Sequence, residues 1–296
     1  MYYRAFYAVP ESVKAPDGTP SGAVRGFLDM ASTFVKDNPA EQIVFAWDTD
    51  WRPQWRVDLI DTYKTHRLDE SSGESGFEEI PDTLSPQISA IAEILDAIGV
   101  CRYGQNSHEA DDILGALINN AQRNCIVVTG DRDLFQLVND KRKNRVISMN
   151  KGMKNLETVT DEYLVDRYGV TGSQYVDFAV LRGDPSDGLP GIKGIGEVTA
   201  SNLIKEFKSI DKLILAAKKK DTRIKPGAIA NLLAGEEYLV RASKVVTVRQ
   251  DAKIPKNIDK PTKIKNTKYL KDLAEDWGVS KQVSRLLTAL KLPEIG

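Results

Sequence analysis

Residues 125–138 read CIVVTGDRDLFQLV, an apolar run of strand character that delivers Asp131 and Asp133 within five positions. The pattern recurs along the chain. Asp48 closes IVFAWD. Glu109, Asp111 and Asp112 open a helix in HEADDILGAL, just after another apolar run. Asp184 and Asp187 stand three apart in the turn LRGDPSDGLPG. Strands that alternate with helices specify an α/β fold with a largely parallel sheet, and such sheets bind ligands outside their strand ends. Taken singly, each acid has a plain structural use. A carboxylate at a helix N-terminus stabilises the dipole by about 0.3–1 kcal/mol, and Asp in a Gly/Pro turn is a turn former. Eight of them brought to one sheet edge would repel each other, so either their proton affinities rise or cations neutralise them. The chain has only His66 and His108, and Cys101 and Cys125 form no CxxC pair, which argues against a zinc site of the usual His/Cys type. Hard oxygen donors select Mg²⁺ or Mn²⁺, and such ions on a carboxylate cluster serve phosphodiester hydrolysis.

Helical periodicity predicts helices over 21–36 and 84–98, the second started by Ser85 and Pro86. Apolar runs predict strands at 43–47, 100–103, 126–129 and 146–149, and beyond about 160 the pattern is helical only. The chain of 296 residues has room for one or two domains, with a boundary near 170–195. No apolar run approaches a membrane span, and the cysteines read as buried reduced thiols of a cytoplasmic protein. Net charge −1 conceals an asymmetry: residues 201–296 carry 21 Lys+Arg against 11 Asp+Glu, leaving −11 for residues 1–200. A basic C-terminal third suits a polyanion, although a solvated lysine surface has the same composition.

Two further stretches bear on that partner. In GLPGIKGIGEVTASNLIKEF, Gly191, Gly194 and Gly196 precede a helix, an arrangement that offers backbone N–H groups to a phosphate. The basic residues that follow, Lys205, Lys208, Lys218 to Lys220, Arg223 and Lys225, favour that reading over a tight helical corner. WRPQWRVDLIDTYKTHR interleaves Arg52, Arg56, Lys64 and Arg67 with Trp51, Trp55 and Tyr63, as in surfaces that stack bases and meet phosphates. Residues 51–83 end in LDESSGESGFEEIPD, a tail too poor in apolar side chains to pack, which reads as a mobile excursion.

Together the pieces YRAFYAVP, GAVRGFL, FAWD, WR…YKTHR, EADDILG, VVTGDRDLFQLV, LRGDPSDGLPGIKGIG and TASNLI, in that order over nearly the whole chain, resemble the 5′-nuclease (flap endonuclease) family. That family includes the 5′–3′ exonuclease domain of bacterial DNA polymerase I and its stand-alone relatives of actinobacterial type. The resemblance implies a PIN-like nuclease domain over 1–170 with a helical arch at 51–83. It also implies a helical DNA-binding region over 171–296, with a helix-hairpin-helix at about 186–207. Asp48, Glu109, Asp111, Asp131, Asp133 and Asp187 would then be the main ligands of two or more Mg²⁺ ions, with Mn²⁺ able to substitute. Asp112 and Asp184 would act through water or in an outer layer. Lys64 and Arg67 would contact the scissile phosphate and so be catalytic. Arg52, Arg56, Lys64, Arg67, Gly191, Gly194 and Gly196 would bind DNA, with a monovalent cation as a further ligand of the hairpin. The substrate would be DNA with a 5′ flap or 5′ end, RNA-primed ends among the candidates, cut by a monomer.

Two departures from the family pattern stand out. Gly188 follows Asp187 where the family has Asn, a change that a turn tolerates. The family also has a strand ending in Asp-Gly ahead of the segment that matches YRAFYAVP, and this strand supplies a first metal-ligating aspartate. By that pattern the first strand is expected to be missing, because the sequence opens at Met1 inside the following segment. The expectation is that the chain as written is inactive or poorly folded, and that its start is placed about a dozen residues late, a length set by typical strand size. The rival readings are a structure-specific DNA-binding protein without catalysis, a phosphatase of small molecules and a toxin-like RNase. The phosphatase would leave the basic third unused, and the RNase would be a much shorter chain.

Overall fold

The computed structural model describes residues 1–68, 79–256, 258 and 260–295. Its elements begin with α1 (Tyr2–Ala8), α2 (Gly22–Asp37), β1 (Val44–Ala46), α3 (Gln54–Leu59), α4 (Ser85–Ile98) and β2 (Cys101–Tyr103). Then follow α5 (Ala110–Asn120), β3 (Ile126–Thr129), β4 (Arg145–Ser148), β5 (Glu157–Val159), α6 (Asp161–Tyr168) and α7 (Tyr175–Arg182). The chain ends in α8 (Glu197–Phe207), α9 (Ile210–Lys218), α10 (Pro226–Ala234), α11 (Glu236–Val246), α12 (Thr267–Asp276) and α13 (Ser280–Ala289). The fold is mixed α/β with small, mostly parallel sheets. The four expected strands and both expected helices form within a residue or two of their predicted bounds. The tail of the expected excursion, residues 69–78, lies outside the described residues. No described helix is long and apolar enough to cross a membrane.

The chain divides into two compact units that cut across its linear order. The first comprises Met1–Trp47, Glu79–Gly104 and Ile254–Gly296. Its strands β1 and β2 run parallel, with Val44 opposite Cys101 and Ala46 opposite Tyr103. Helix α2 buries Ala23, Val24, Phe27, Leu28, Ala31, Phe34 and Val35, a stripe at spacings of three and four that faces a core. Helix α4 answers with Ile91, Ile94, Leu95 and Ile98, and α13 packs on α2 while α12 packs on α4. The first backbone N–H groups of α2 lack intrahelical partners. A buried side chain of α4 supplies one, since Gln87 Oε1 accepts from Ala23 N at 2.7 Å. Helix α1 escaped prediction because seven residues show little periodicity; it lodges Ala5 and Val9 against Gly26 of α2, where a Cβ would come within 3.0 Å of both.

The second unit comprises Asp48–Glu78 and Gln105–Lys253. Here β3 and β4 are parallel, Ile126 opposite Arg145 and Thr129 opposite Ser148, and β5 joins β4 antiparallel. Strand β5 was not expected, because its three residues Glu157, Thr158 and Val159 offer a single buried side chain as signal. A core of Phe135, Tyr168, Tyr175 and Phe178 lies beyond the sheet, with neighbouring ring centroids 5.4–6.5 Å apart. The two cysteines are free thiols, half-buried rather than fully buried as expected, because each sits at the margin of a short strand. Ile94 is fully buried, so Ile94→Ala should destabilise the protein by about 3 kcal/mol through lost transfer energy and a residual cavity. Urea denaturation measures this as a lower midpoint at unchanged slope.

Candidate active site

The acidic residues are held by local backbone bonds. Beyond β3, Thr129 Oγ1 accepts from Asp131 N at 2.9 Å and Asp131 Oδ1 accepts from Asp133 N at 2.8 Å. These bonds shape the turn that carries both aspartates before Leu134 and Phe135 dive into the core. Glu109 is the N-cap of α5 in a capping box with Asp112, so the expected helix start is where the sequence placed it. Asp48 follows β1 closely, and its Oδ1 accepts from Ala110 N at 2.8 Å, which fixes it at the first turn of α5 beside Asp111. Asp184 opens a tight turn by accepting from Ser186 N at 2.9 Å, and Asp187 closes it. Glu109, Asp111, Asp131, Asp133 and Asp187 line one cleft together with Tyr63 and Arg56. Asp48 and Asp184 lie outside its lining but close enough to raise the proton affinity of their neighbours.

Two cations enter this cluster from the segment after α3. Lys64 is buried, and its Nζ lies 2.6 Å from Glu109 Oε2. Tyr63 Oη donates to Glu109 Oε1 at 2.9 Å. Arg67 Nη2 lies 2.8 Å from Asp187 Oδ1. Lys64 adopts the left-handed conformation, φ 51°, which non-glycine residues rarely adopt. Its own N–H donates to Asp187 O at 3.1 Å, and Thr62 Oγ1 donates to Gly188 O at 2.8 Å, so the acidic turn clamps the strained residue. Gly188, the departure from the family pattern, is required by this fit. Its φ is 73°, and a Cβ there would lie 2.0 Å from Thr62 O.

Burial and mutual repulsion set the proton affinities. Burial pushes Asp111 well above the ordinary aspartate value, and Asp131, Asp48 and Glu109 add to the rise. Asp133 is likewise pushed well up, by burial first and then by Asp131, Asp187 and Asp184. Desolvation in the cleft also raises Asp131 and Glu109, although Lys64 partly offsets the rise at both. Burial alone would lower Lys64, yet Glu109 holds its ammonium well above the usual lysine range. Asp112 goes the other way: burial would raise it, but the bond to Arg56 keeps it low. Among the described residues no three His, Cys, Asp or Glu side chains are grouped to hold a metal ion, and two of the cleft acids are paired with Lys64 and Arg67. The donor set nevertheless fits hard divalent cations, being carboxylate oxygens with too much negative charge for one cleft.

Two arginines expected to meet DNA are placed otherwise. Arg56 is 2% exposed and forms a two-pronged pair with Asp112, with both bonds at 2.8 Å. Arg52 spends its guanidinium on the backbone, Nε to Tyr63 O at 2.6 Å and Nη2 to Asp61 O at 3.2 Å. An arginine beside tryptophan reads the same in sequence whether it faces a core or a polyanion. Tyr63 was named only as an aromatic neighbour, and its bond to Glu109 had no signal beyond adjacency to Lys64. The glycine segment is braced from within the same unit. Gly191 N donates to Tyr238 Oη at 3.0 Å, and Asn231 Nδ2 donates to Lys193 O at 2.9 Å, which braces the turn before α8. Gly194 and Gly196 are exposed, with nothing nearer than 3.7 Å to a Cβ at the first and nothing within 4 Å at the second, so a backbone or phosphate can approach. In the basic stretch after it, Lys218 pairs with Glu236 at 2.7 Å and Arg223 with Asp221 at 2.7 Å, so part of that charge is neutralised internally.

Comparison with known proteins gives the family. A family model for the 5′-3′ exonuclease N-terminal resolvase-like domain covers residues 1–169, and one for the 5′-3′ exonuclease C-terminal SAM fold covers 170–269. A 5′-3′ exonuclease of Streptomyces coelicolor is 45% identical over 292 residues, covering 98% of this chain and 97% of that protein. A 5′-3′ exonuclease of Mycobacterium tuberculosis is 40% identical over 303 residues, covering 98% and 95%. Among solved structures, T5 5′-exonuclease with bound divalent metal ions (zinc) has a TM-score of 0.61 at 20% identity, over 86% of this chain and 90% of that one. That last likeness concerns the fold.

Charge crowding gives a test without substrate. An aspartate whose folded-state pKa is raised costs stability as pH climbs from its ordinary value, 3.8, through the folded value. Asp111→Asn should therefore raise the Tm in EDTA at pH 8 by about 2–4 °C, the equivalent of ~1 kcal/mol, and leave it nearly unchanged at pH 4. Calorimetric scans at the two pH values measure the difference.

Proposed function

We propose a function from one premise: the chain belongs to the 5′–3′ exonuclease family. It acts as a structure-specific 5′-nuclease that hydrolyses phosphodiesters at 5′ flaps and 5′ ends of DNA, dependent on Mg²⁺. Flaps and ends of this kind arise in replication and repair, and RNA-primed ends belong to the same substrate class. The observation that carries the reading is the buried Lys64 ammonium, 2.6 Å from Glu109, in a cleft where four acids have raised proton affinity. Such a cleft binds cations by charge, and a phosphate enters it only alongside them.

Glu109, Asp111, Asp131, Asp133 and Asp187 are the side chains that would hold divalent ions, with Asp48 and Asp184 at the margin. When bound, such ions supply a water of lowered pKa and offset charge on the leaving oxygen. Lys64 and Arg67 then serve the phosphate. Once their carboxylate partners are otherwise engaged, the ammonium and guanidinium can turn to the scissile group and stabilise the charge that builds on it. The left-handed backbone at Lys64, held by Asp187 O, keeps that side chain aimed into the cleft. Exposed Gly194 and Gly196 ahead of α8 support a grip on duplex backbone without base reading.

The test is cleavage of a labelled 5′-flap duplex by the 296-residue chain in Mg²⁺, in Mn²⁺ and in EDTA. Cutting that EDTA abolishes upholds the nuclease reading and overturns the expectation that the chain as written is inactive; cutting only by a chain extended upstream through a strand ending in Asp-Gly upholds both. Flap binding that persists in EDTA without cleavage by either chain in either metal would replace the nuclease reading with a structure-specific DNA-binding protein. Lys64→Met should lower kcat by about a hundredfold while KM changes little, as for loss of one preorganised donor; single-turnover kinetics measures both.

A further inference from the structure

We propose that Arg56 is a positioning residue of the acidic centre, and that its pairing takes Asp112 out of the set of acids able to bind metal. The inference rests on the nuclease reading and deepens it. A carboxylate has about four lone-pair sites. All four of Asp112 are engaged. Oδ2 accepts from Arg56 Nη1 at 2.8 Å and from Glu109 N at 3.0 Å. Oδ1 accepts from Arg56 Nη2 at 2.8 Å and from Arg249 N at 2.8 Å. Asp112 is fully buried and no site is left for an ion or for a water that would bridge to one.

What the pair does follows from its connections. Arg56 Nε donates to Val245 O at 3.0 Å, and its Nη1 stands 3.5 Å from Glu109 Oε1. Its guanidinium also stacks 4.4 Å from the Trp55 ring. Three separate stretches therefore meet on one ion pair: α3, the start of α5, and the chain at and beyond the end of α11. Gln136 adds a parallel tie, donating to Val246 O at 2.9 Å and accepting from Val248 N at 3.0 Å. Asp112 accepts the N–H of Glu109, and Arg56 supplies charge to the Glu109 carboxylate. The pair thus sets where Glu109 points, and with it the helix turn that presents Asp111. Lysine cannot replace the fork, because a point charge makes neither the paired bonds nor the bond to Val245 in one geometry.

Removing one partner of a buried pair strands a charge, whereas replacing both with apolar groups of similar size is often neutral for stability. The decisive variant is therefore Arg56→Met with Asp112→Leu, beside Arg56→Lys. Each is measured for Tm, flap-DNA affinity in EDTA, Mn²⁺ binding by electron paramagnetic resonance, and kcat against KM. The expected result is a folded double variant with unchanged DNA affinity, Mn²⁺ bound about ten- to a hundredfold more weakly, and kcat reduced with KM flat. Arg56→Lys should show the same loss, and it decides the matter if the double variant does not fold. Wild-type Mn²⁺ binding and kcat in the folded double variant, or in Arg56→Lys, would overturn the proposal and leave the pair purely structural. So would the loss of one whole Mn²⁺ per chain in Asp112→Asn. A wild-type chain that cuts and binds Mn²⁺ keeps the nuclease reading through any of these outcomes. One that binds no Mn²⁺ overturns both.

Discussion

The contact between Lys64 and Glu109 is the constraint around which the acidic cleft is organised. Two opposite charges lie 2.6 Å apart with 11% and 5% of their side chains exposed, and Tyr63 Oη closes one remaining acceptor of the carboxylate. Taking both charges out of water costs several kcal/mol per ion, and removing either partner would leave the other uncompensated. The backbone bends to keep the pair. Lys64 accepts a left-handed conformation, Asp187 O holds its N–H, and Gly188 leaves room for Thr62 O.

The other carboxylates are arranged outward from that pair and are less well compensated. Arg67 neutralises part of Asp187, while Asp111 and Asp133 meet chiefly like charge and desolvation. Asp112 is the opposite case, fully satisfied by Arg56 and two backbone N–H groups. Acids that look alike in HEADDILG thus have three fates: Asp112 anchors helix α5, Glu109 is paired with Lys64, and Asp111 retains unmet charge. Unmet charge is what allows a site to bind cations, and the anchored acid keeps that site in shape. The proposed catalysis depends on both.

Much of this was legible in the sequence because it follows from short-range rules. Apolar runs gave β1 to β4 and amphipathic periodicity gave α2 and α4. The cluster of acids after an apolar run gave the start of α5, and the turn grammar of GDPSDG gave the loop that carries Asp184 and Asp187. The acids of the cleft were found because each ends an element. The fates of Arg52 and Arg56 were not legible. Nothing local distinguishes an arginine that binds Asp112, 56 positions on, from one that awaits a phosphate. Helix α1 and strand β5 were missed for want of length, since a few residues cannot display a period. Gly188 was read as tolerated in its turn, but only the tertiary contact with Thr62 shows that a larger residue would clash.

The most direct test of the account is calorimetric titration of Mn²⁺ into the metal-free chain at pH 6, repeated in two buffers with different ionisation enthalpies. Carboxyls held above their ordinary pKa keep protons to higher pH than usual, and a bound ion displaces those protons. The account predicts binding whose apparent enthalpy differs between the buffers in proportion to protons released. Asp111→Asn should reduce that proton release. No binding, or binding with the same enthalpy in both buffers, would contradict the claim that this cleft is a cation site built from charge-strained acids.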